Sequence, residues 1–183
     1  MKTGDVMKKD RKQTHTFVIC AYGESPYLED CIRSLLRQTV ISRICMATST
    51  PNQHIEKMAR KYRLPVFINK GEKGLAGDWN FAVSCGKTPY VTLAHQDDLY
   101  LKQYTEDVLE GLEACSRPLI AFTDYYERRT DKEGIEKRVR TNQLLRIKRL
   151  MLFPLRFSIF WNRRFVRRRI LSMGSAICCP SVT

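Results

Sequence analysis

No apolar run in this chain of 183 residues approaches the roughly 18–20 consecutive apolar residues that a bilayer-spanning helix needs, so no helical membrane span is expected. Residues 1–15 are polar and basic and lead into no apolar segment, which argues against a secretory signal there; they read as a short disordered lead-in. Seven cysteines are present (Cys20, Cys31, Cys45, Cys85, Cys115, Cys178 and Cys179), but none form a C-x-x-C pair, so a zinc site has no support. Most fall at apolar positions and read as buried, reduced thiols of a cytoplasmic protein. The glycines match neither G-x-G-x-x-G nor a P-loop, which removes the dinucleotide-binding and kinase-type readings. Internal repeats and low-complexity tracts are lacking too. Acidic residues are missing from one long stretch: 137–169 holds twelve of the 32 Lys and Arg and none of the 19 Asp and Glu, so the remainder of the chain is close to neutral. That asymmetry implies an anionic partner for one segment, not for the whole surface.

What the chain does have is an alternation of short apolar runs and amphipathic stretches. Thr16–Tyr22 is rich in β-formers and predicts a buried strand, broken by Gly23. Ser25-Pro26 then offers a helix cap followed by proline at the first helical position, and Leu28, Ile32, Leu35 and Leu36 follow at helical spacing. A second strand is expected over Ile41–Ala47. The capping-box spacing of Thr50-Pro51-Asn52-Gln53 then precedes the helical stripe Ile55, Met58, Ala59 and Tyr62. A third strand covers Pro65–Asn69, a glycine-rich loop Gly71–Gly77, and a short helix Asp78–Cys85 with Asp78 as its cap. A fourth strand covers Tyr90–Ala94, a helix is marked by Tyr104, Val108, Leu109, Leu112 and Cys115, and a fifth strand covers Leu119–Thr123. Beyond Asp131 the order weakens, with strand pieces at Ile170–Ser172 and Ala176–Cys179. Strands alternating with helices imply βαβ units around a mostly parallel sheet. Ligands of such sheets bind at the carboxyl ends of the strands, which singles out Ala21–Glu24, Thr48–Thr50, Asn69–Gly74 and His95–Asp98.

Within those strand ends, His95-Gln96-Asp97-Asp98 is the most informative. Two adjacent acids at the end of a buried strand are costly unless a charge offsets them. Hard carboxylate oxygens suit Mg²⁺ or Mn²⁺, ions that also bridge the oxygens of a diphosphate. The same pair serves equally well as a polar turn in which Asp98 caps a helix starting near Leu101. Tyr22 offers a ring for stacking and Glu24 an acceptor for a base N–H or a ribose hydroxyl, although the loop also reads as a plain helix-capping turn. The glycines of Gly71–Gly77 would let backbone approach a phosphate.

In order, the strand leading to Ala21-Tyr22-Gly23-Glu24, the helix Pro26-Tyr27-Leu28-Glu29-Asp30-Cys31 ending in Ser34-Leu35-Leu36-Arg37-Gln38-Thr39, the loop closing on Gly77-Asp78-Trp79-Asn80, and the run Pro89–Asp98 resemble glycosyltransferase family two. The resemblance is good from Thr16 to Asp124 and looser beyond. It implies an α/β fold of the GT-A type: a Rossmann-like, mostly parallel sheet flanked by helices. It implies a nucleotide-sugar donor held by Ala21, Tyr22, Glu24, Thr48, Gly74, Asn80 and Asp97, with Tyr22 and Glu24 against the base or ribose. Asp98 would be the principal ligand of Mg²⁺ or Mn²⁺, assisted by Asp97. The sugar would pass with inversion to a glycan or lipid-linked acceptor, in the building of cell-surface polysaccharide. Three departures stand out. Where the family's second strand ends in an acidic pair that contacts the base, this chain has Ala47-Thr48-Ser49-Thr50; where its acid string begins, this chain has His95; and the family's catalytic base lies beyond the Gly174–Val182 stretch, hence past Thr183.

On this reading residues 1–15 are a lead-in, 16–130 the nucleotide-sugar-binding half, and 131–183 a basic, aromatic segment with the start of an acceptor half. The chain alone would be inactive, and its last strands, lacking partners, would leave exposed edges. Rival readings are a non-catalytic remnant and a basic nucleic-acid-binding protein. The latter leaves Gln96-Asp97-Asp98 unexplained and shows no recognised motif, so no nucleic-acid partner is expected. The Arg146–Arg169 block, with Leu, Phe and Trp interleaved, would suit peripheral contact with anionic lipid at the inner face of the plasma membrane. The protein should therefore sediment with anionic liposomes at low salt and be released by added salt; failure to sediment at low salt would exclude that contact.

Overall fold

The computed structural model describes residues 14–114, 121, 123, 126–130, 136–139 and 177–180. The strand expected over Leu119–Thr123, apart from Ala121 and Thr123, lies outside them, as do Asp124, Ile170–Ser172 and the basic block Arg146–Arg169. The chain divides into two units, 1–122 with 176–183, and 123–175. In the first, β1 (His15–Cys20), α1 (Leu28–Leu36), β2 (Arg43–Thr48), α2 (Gln53–Tyr62), β3 (Val66–Ile68), α3 (Leu75–Cys85), β4 (Tyr90–His95) and α4 (Tyr104–Glu113) follow one another as the alternation predicts. In the second, β5 (Glu127–Thr130) pairs antiparallel with β6 (Glu136–Val139).

The sheet of the first unit runs β3-β2-β1-β4-β7, where β7 is Ile177–Pro180. The first four strands are parallel. β7 is antiparallel to β4, with Cys179 opposite Val91 and Ile177 opposite Leu93, so this last strand has a partner, contrary to expectation. Its side of β4 is one that parallel crossovers leave open, and a four-residue strand is long enough to occupy it.

β1 sits in the middle and is buried on both faces, which is why it reads as an unbroken apolar run instead of alternating. Phe17, Ile19, Met46 and Ala94 share one core with Leu28, Ile32 and Leu35 of α1, Ile55 and Met58 of α2, and Val108 and Leu112 of α4. α3 covers the other face, packing across β1, β2 and β4. Trp79 of α3 meets the ring of His95, the residue after core-facing Ala94. The buried positions of α1 (Leu28, Cys31, Ile32 and Leu35) repeat at three and four residues, the spacing of one helical face. Among the described residues no helix is long and apolar enough to cross a membrane.

Three helix starts differ from the sequence reading, and only the second has a side-chain cap. Ser25-Pro26 forms a turn two residues ahead of α1: Ser25 Oγ accepts from Tyr27 N at 3.3 Å, and the regular helix starts at Leu28. At α2 the cap is Asn52, whose Oδ1 accepts from Ile55 N at 2.9 Å, which frees Thr50 for another contact. At α3 the cap position is Gly74, with φ of 95°, and the helix begins three residues before Asp78.

His15, expected as the last residue of the disordered lead-in, is instead the first residue of β1 and fully buried. Its Nδ1 pairs with Ser42 Oγ and its Nε2 with Thr92 Oγ1, each at 2.8 Å. Burial pushes its pKa down from 6.5 to about 4. The folded protein therefore refuses a proton that the unfolded chain accepts below pH 6.5, and stability falls between about pH 6.5 and 4. At about 1.4 kcal/mol per pKa unit the loss from this group approaches roughly 3 kcal/mol. In urea denaturation, His15→Gln should lose less stability than the wild type between pH 7 and pH 4; parallel losses in the two proteins would refute the assignment.

Candidate functional site

The parallel strands end together, and their following loops form one polar rim. The loop after β1 is fastened at nearly every residue. The backbone N–H of Tyr22 donates to Gln96 Oε1 at 3.0 Å, and Gln96 Nε2 donates back to Tyr22 O at 2.8 Å. Gly23 N donates to Thr50 Oγ1 at 2.9 Å, Asn52 Nδ2 to Gly23 O at 2.9 Å, and His54 Nε2 to Ser25 O at 3.0 Å. Gly23 needs its positive φ of 59° to make this turn. The backbone is held while the side chains of Tyr22, 66% exposed, and Glu24 stay presented to solvent. Ala21 is buried, its N–H bonded to Ala47 O at 2.9 Å. Thr48 is buried and its Oγ1 accepts from Thr50 N at 3.0 Å, so its side chain shapes its own loop.

β4 delivers His95, Gln96, Asp97 and Asp98 to the same rim. Asp98 N donates to His95 O at 3.2 Å, closing a tight turn, and α4 starts only at Tyr104 with Gln103 at its cap position. Asp98 is therefore not the cap of that helix, which removes the bland explanation of its presence. Asp97 is exposed and Asp98 half-buried. Burial raises the Asp98 pKa, the His95 ring pulls it back down, and the adjacent Asp97 charge raises it again. Beneath lies Cys31, whose Sγ donates to His95 O at 3.2 Å. The Cys31 thiol is itself pushed up, by burial first and then by the charges of Asp98 and Asp97.

Among the described residues no three His, Cys, Asp or Glu side chains converge into a metal cage. A hard divalent cation shared with a diphosphate needs no such cage: one or two carboxylates suffice, with water and phosphate oxygens completing the shell. Asp98, a desolvated acid beside a second acid, fits that donor set, because a cation would relieve both contributions that raise its pKa.

On the other side of β1 the glycine loop meets α3. Gly77 packs so closely that a Cβ there would lie 2.3 Å from Glu72 O. Buried Asn69 donates from Nδ2 to Glu72 O and to Asp78 Oδ1, each at 2.8 Å, and its Oδ1 accepts from Gly71 N at 3.0 Å. Asp78 Oδ2 accepts from Ser49 Oγ at 3.0 Å. Asp78 is thus part of the rim instead of the helix cap that its position suggests in sequence. Gly74 borders the same loop, and Asn80 is exposed on α3. The sequence places Asn69 and Gln96 at strand ends without revealing what they bond, and it reads Asp78 as a helix cap; the hydrogen bonds that make these three residues rim-builders appear only in the fold.

Comparison with known proteins bears on the fold. Glucosyl-3-phosphoglycerate synthase from Mycobacterium tuberculosis, solved in complex with UDP, aligns with a TM-score of 0.63 at 11% identity, covering 99% of this chain and 61% of that one. The mannosyltransferase PcManGT from Pyrobaculum calidifontis, solved with GDP-Man and Mn²⁺, aligns with a TM-score of 0.50 at 16% identity, covering 58% of this chain and 34% of that one. The chain thus spans about three fifths of the synthase and one third of the mannosyltransferase, and at these identities the likeness establishes the GT-A-type fold alone. A search of the curated proteins finds no match to the sequence. The model of the family described as Glycosyl transferase family 2 matches residues 16–173, and the chain belongs to that family.

Proposed function

We propose that the rim binds a nucleotide-diphospho-sugar and that the protein transfers its sugar, with inversion, to a glycan or lipid-linked acceptor. The observation that carries this reading is Asp98: a half-buried acid beside a second acid at the end of β4, uncommitted to helix capping. Asp98, assisted by Asp97, would hold Mg²⁺ or Mn²⁺. When bound, that ion supplies Lewis-acid stabilisation of the charge developing on the departing diphosphate. Support comes from family membership and from the ligands of fold relatives. The mycobacterial synthase was solved with Mn²⁺, UDP-glucose and phosphoglyceric acid, and the Pyrobaculum mannosyltransferase with GDP-Man and Mn²⁺.

The remaining roles fall to the rim's own residues. Gln96 holds the Tyr22–Gly23 backbone at a fixed height beside the acids, so the exposed Tyr22 ring can stack on a base or ribose without first paying an ordering cost. Glu24 accepts from a hydroxyl of the ribose. Gly74 and the loop before it approach the diphosphate through backbone, and Asn80 lies between one and two turns further along α3. Attack by an acceptor hydroxyl on the anomeric carbon requires a carboxylate to take its proton, which we place outside the described residues. Contact of the Arg146–Arg169 block with an anionic membrane would bring a lipid-linked acceptor within reach.

Isothermal titration of UDP, GDP and TDP, with and without Mn²⁺, tests the donor site. One diphosphate should bind only with Mn²⁺, and Asp98→Ala should weaken it at least roughly tenfold, the loss of one charged contact. Folded wild-type protein that binds none of the three would overturn the reading.

A further inference from the structure

The resemblance noted in the sequence leaves β2 without the acid that would touch the base: the strand closes on Ala47-Thr48 and continues with Ser49-Thr50. In the structure a carboxylate stands at that place nonetheless, delivered by a different element. Asp78 of α3 accepts from Ser49 Oγ just past the end of β2 at 3.0 Å and from Asn69 Nδ2 just past the end of β3 at 2.8 Å. It also lies close to Cys20 at the end of β1: burial pushes that thiol up to about 12, and the Asp78 charge adds to the rise. The acid is held there by design of the backbone. Gly77 permits α3 to press against the Glu72 carbonyl where any Cβ would collide, and buried Asn69 ties Glu72, Gly71 and Asp78 into one unit.

Both donors to Asp78 are neutral, and no ion pair among the described residues involves it. Each oxygen accepts one protein hydrogen bond and keeps a second lone pair. An asparagine would hold Ser49 and Asn69 together about as well without placing a charge at a half-buried position, so the scaffold alone does not explain an acid. Nor does the diphosphate, which an unpaired carboxylate repels. The distance fits the other end of the nucleotide. Ser49 follows β2, which stands two strand positions from β4, about 10 Å away at roughly 4.8 Å per strand. That is the reach from a diphosphate held at Asp98 to its base.

Building on the donor-site reading above, we infer that Asp78 reads the base of the bound nucleotide, accepting a hydrogen bond from a ring N–H in place of the acid that β2 lacks. The class selected is uracil, thymine or guanine, whose rings carry an N–H at the recognition edge. Cytosine and adenine present a ring-nitrogen lone pair at the equivalent place, which a carboxylate repels. Specificity thus moves from the end of β2 to the first turn of α3, and Ser49 becomes the donor that orients the reading group.

Titrations of UDP, GDP, CDP and ADP with Mn²⁺ present, against wild type, Asp98→Ala and Asp78→Asn, separate this inference from the one it rests on. The wild type should prefer a diphosphate with a ring N–H by roughly 10–100-fold, the value of one hydrogen bond to a charged acceptor. Asp98→Ala should lose the Mn²⁺-dependent binding of every diphosphate. Asp78→Asn should keep the Mn²⁺ dependence but weaken the preferred diphosphate and narrow its lead over CDP and ADP. The preferred diphosphate methylated at its ring nitrogen gives a second measurement on unaltered protein and should bind about as weakly as CDP. An unchanged base preference in Asp78→Asn, or full affinity for the methylated nucleotide, would overturn the role of Asp78 while leaving the donor site standing. Wild-type protein that binds no diphosphate would overturn both.

Discussion

The structure depends on the burial of β1. With Phe17, Val18 and Ile19 fully hidden and helices on both faces, this strand has no solvent side, and its only accessible part is its carboxyl end. Its parallel neighbours, paired residue by residue from Thr16 to Cys20 with β2 and from His15 to Cys20 with β4, end at the same level. A parallel sheet covered on both faces concentrates polar loops at its two ends, and the chain connectivity decides what each end carries. Here one end carries the turns Tyr22–Ser25, Ser49–Asn52, Asn69–Gly74 and Gln96–Asp98. The site is thus a consequence of where apolar side chains are buried.

Burial of the strands brings these loops near one another, and side chains then fix them. The Gln96 amide closes a two-bond ring with the Tyr22 backbone, satisfying both its N–H and its C=O just past the end of the parallel ladder. Thr50 and Asn52 fasten Gly23, one at its N–H and the other at its carbonyl, and His54 fastens the carbonyl of Ser25. Each such bond contributes on the order of 0.5–1.5 kcal/mol to stability. Their larger effect is on binding: a loop already held in one conformation loses little entropy when a ligand arrives.

The sheet was legible from sequence because it rests on hydrophobic periodicity, which each segment carries in itself. The stripe Leu28, Ile32, Leu35 and the apolar run at β1 sit where the pattern places them. The acids at the end of β4 were legible too, since a strand end is fixed once the strand is known. What escaped was every decision made by competition between elements. Asp78 has the residue type and spacing of a helix cap, but Gly74 takes that position because its φ of 95° turns the chain at once into α3. Thr50 likewise yields the cap to Asn52 and turns to Gly23. β7 was legible as a strand piece, but its pairing escaped because its partner lies more than 80 residues earlier in the chain and a four-residue strand carries too little pattern to announce one.

For the dianionic diphosphate of the proposed donor, an edge lined with Glu24, Asp78, Asp97 and Asp98 would be an electrostatic contradiction, and the arrangement suggests how it would resolve. Like charges a few ångströms apart raise one another's pKa and repel an anion unless each meets its own counter-group. Sheet order separates them: Asp97 and Asp98 stand at β4, while Asp78 stands over β2 and β3, with the end of β1 between. Under the proposed reading a cation joins the first pair to the diphosphate, and a base N–H answers Asp78. A ligand with a diphosphate and no suitable base would satisfy only the first group, and a free base only the second. On that reading the two acid sites, set about two strands apart, would favour a whole nucleotide over either of its parts.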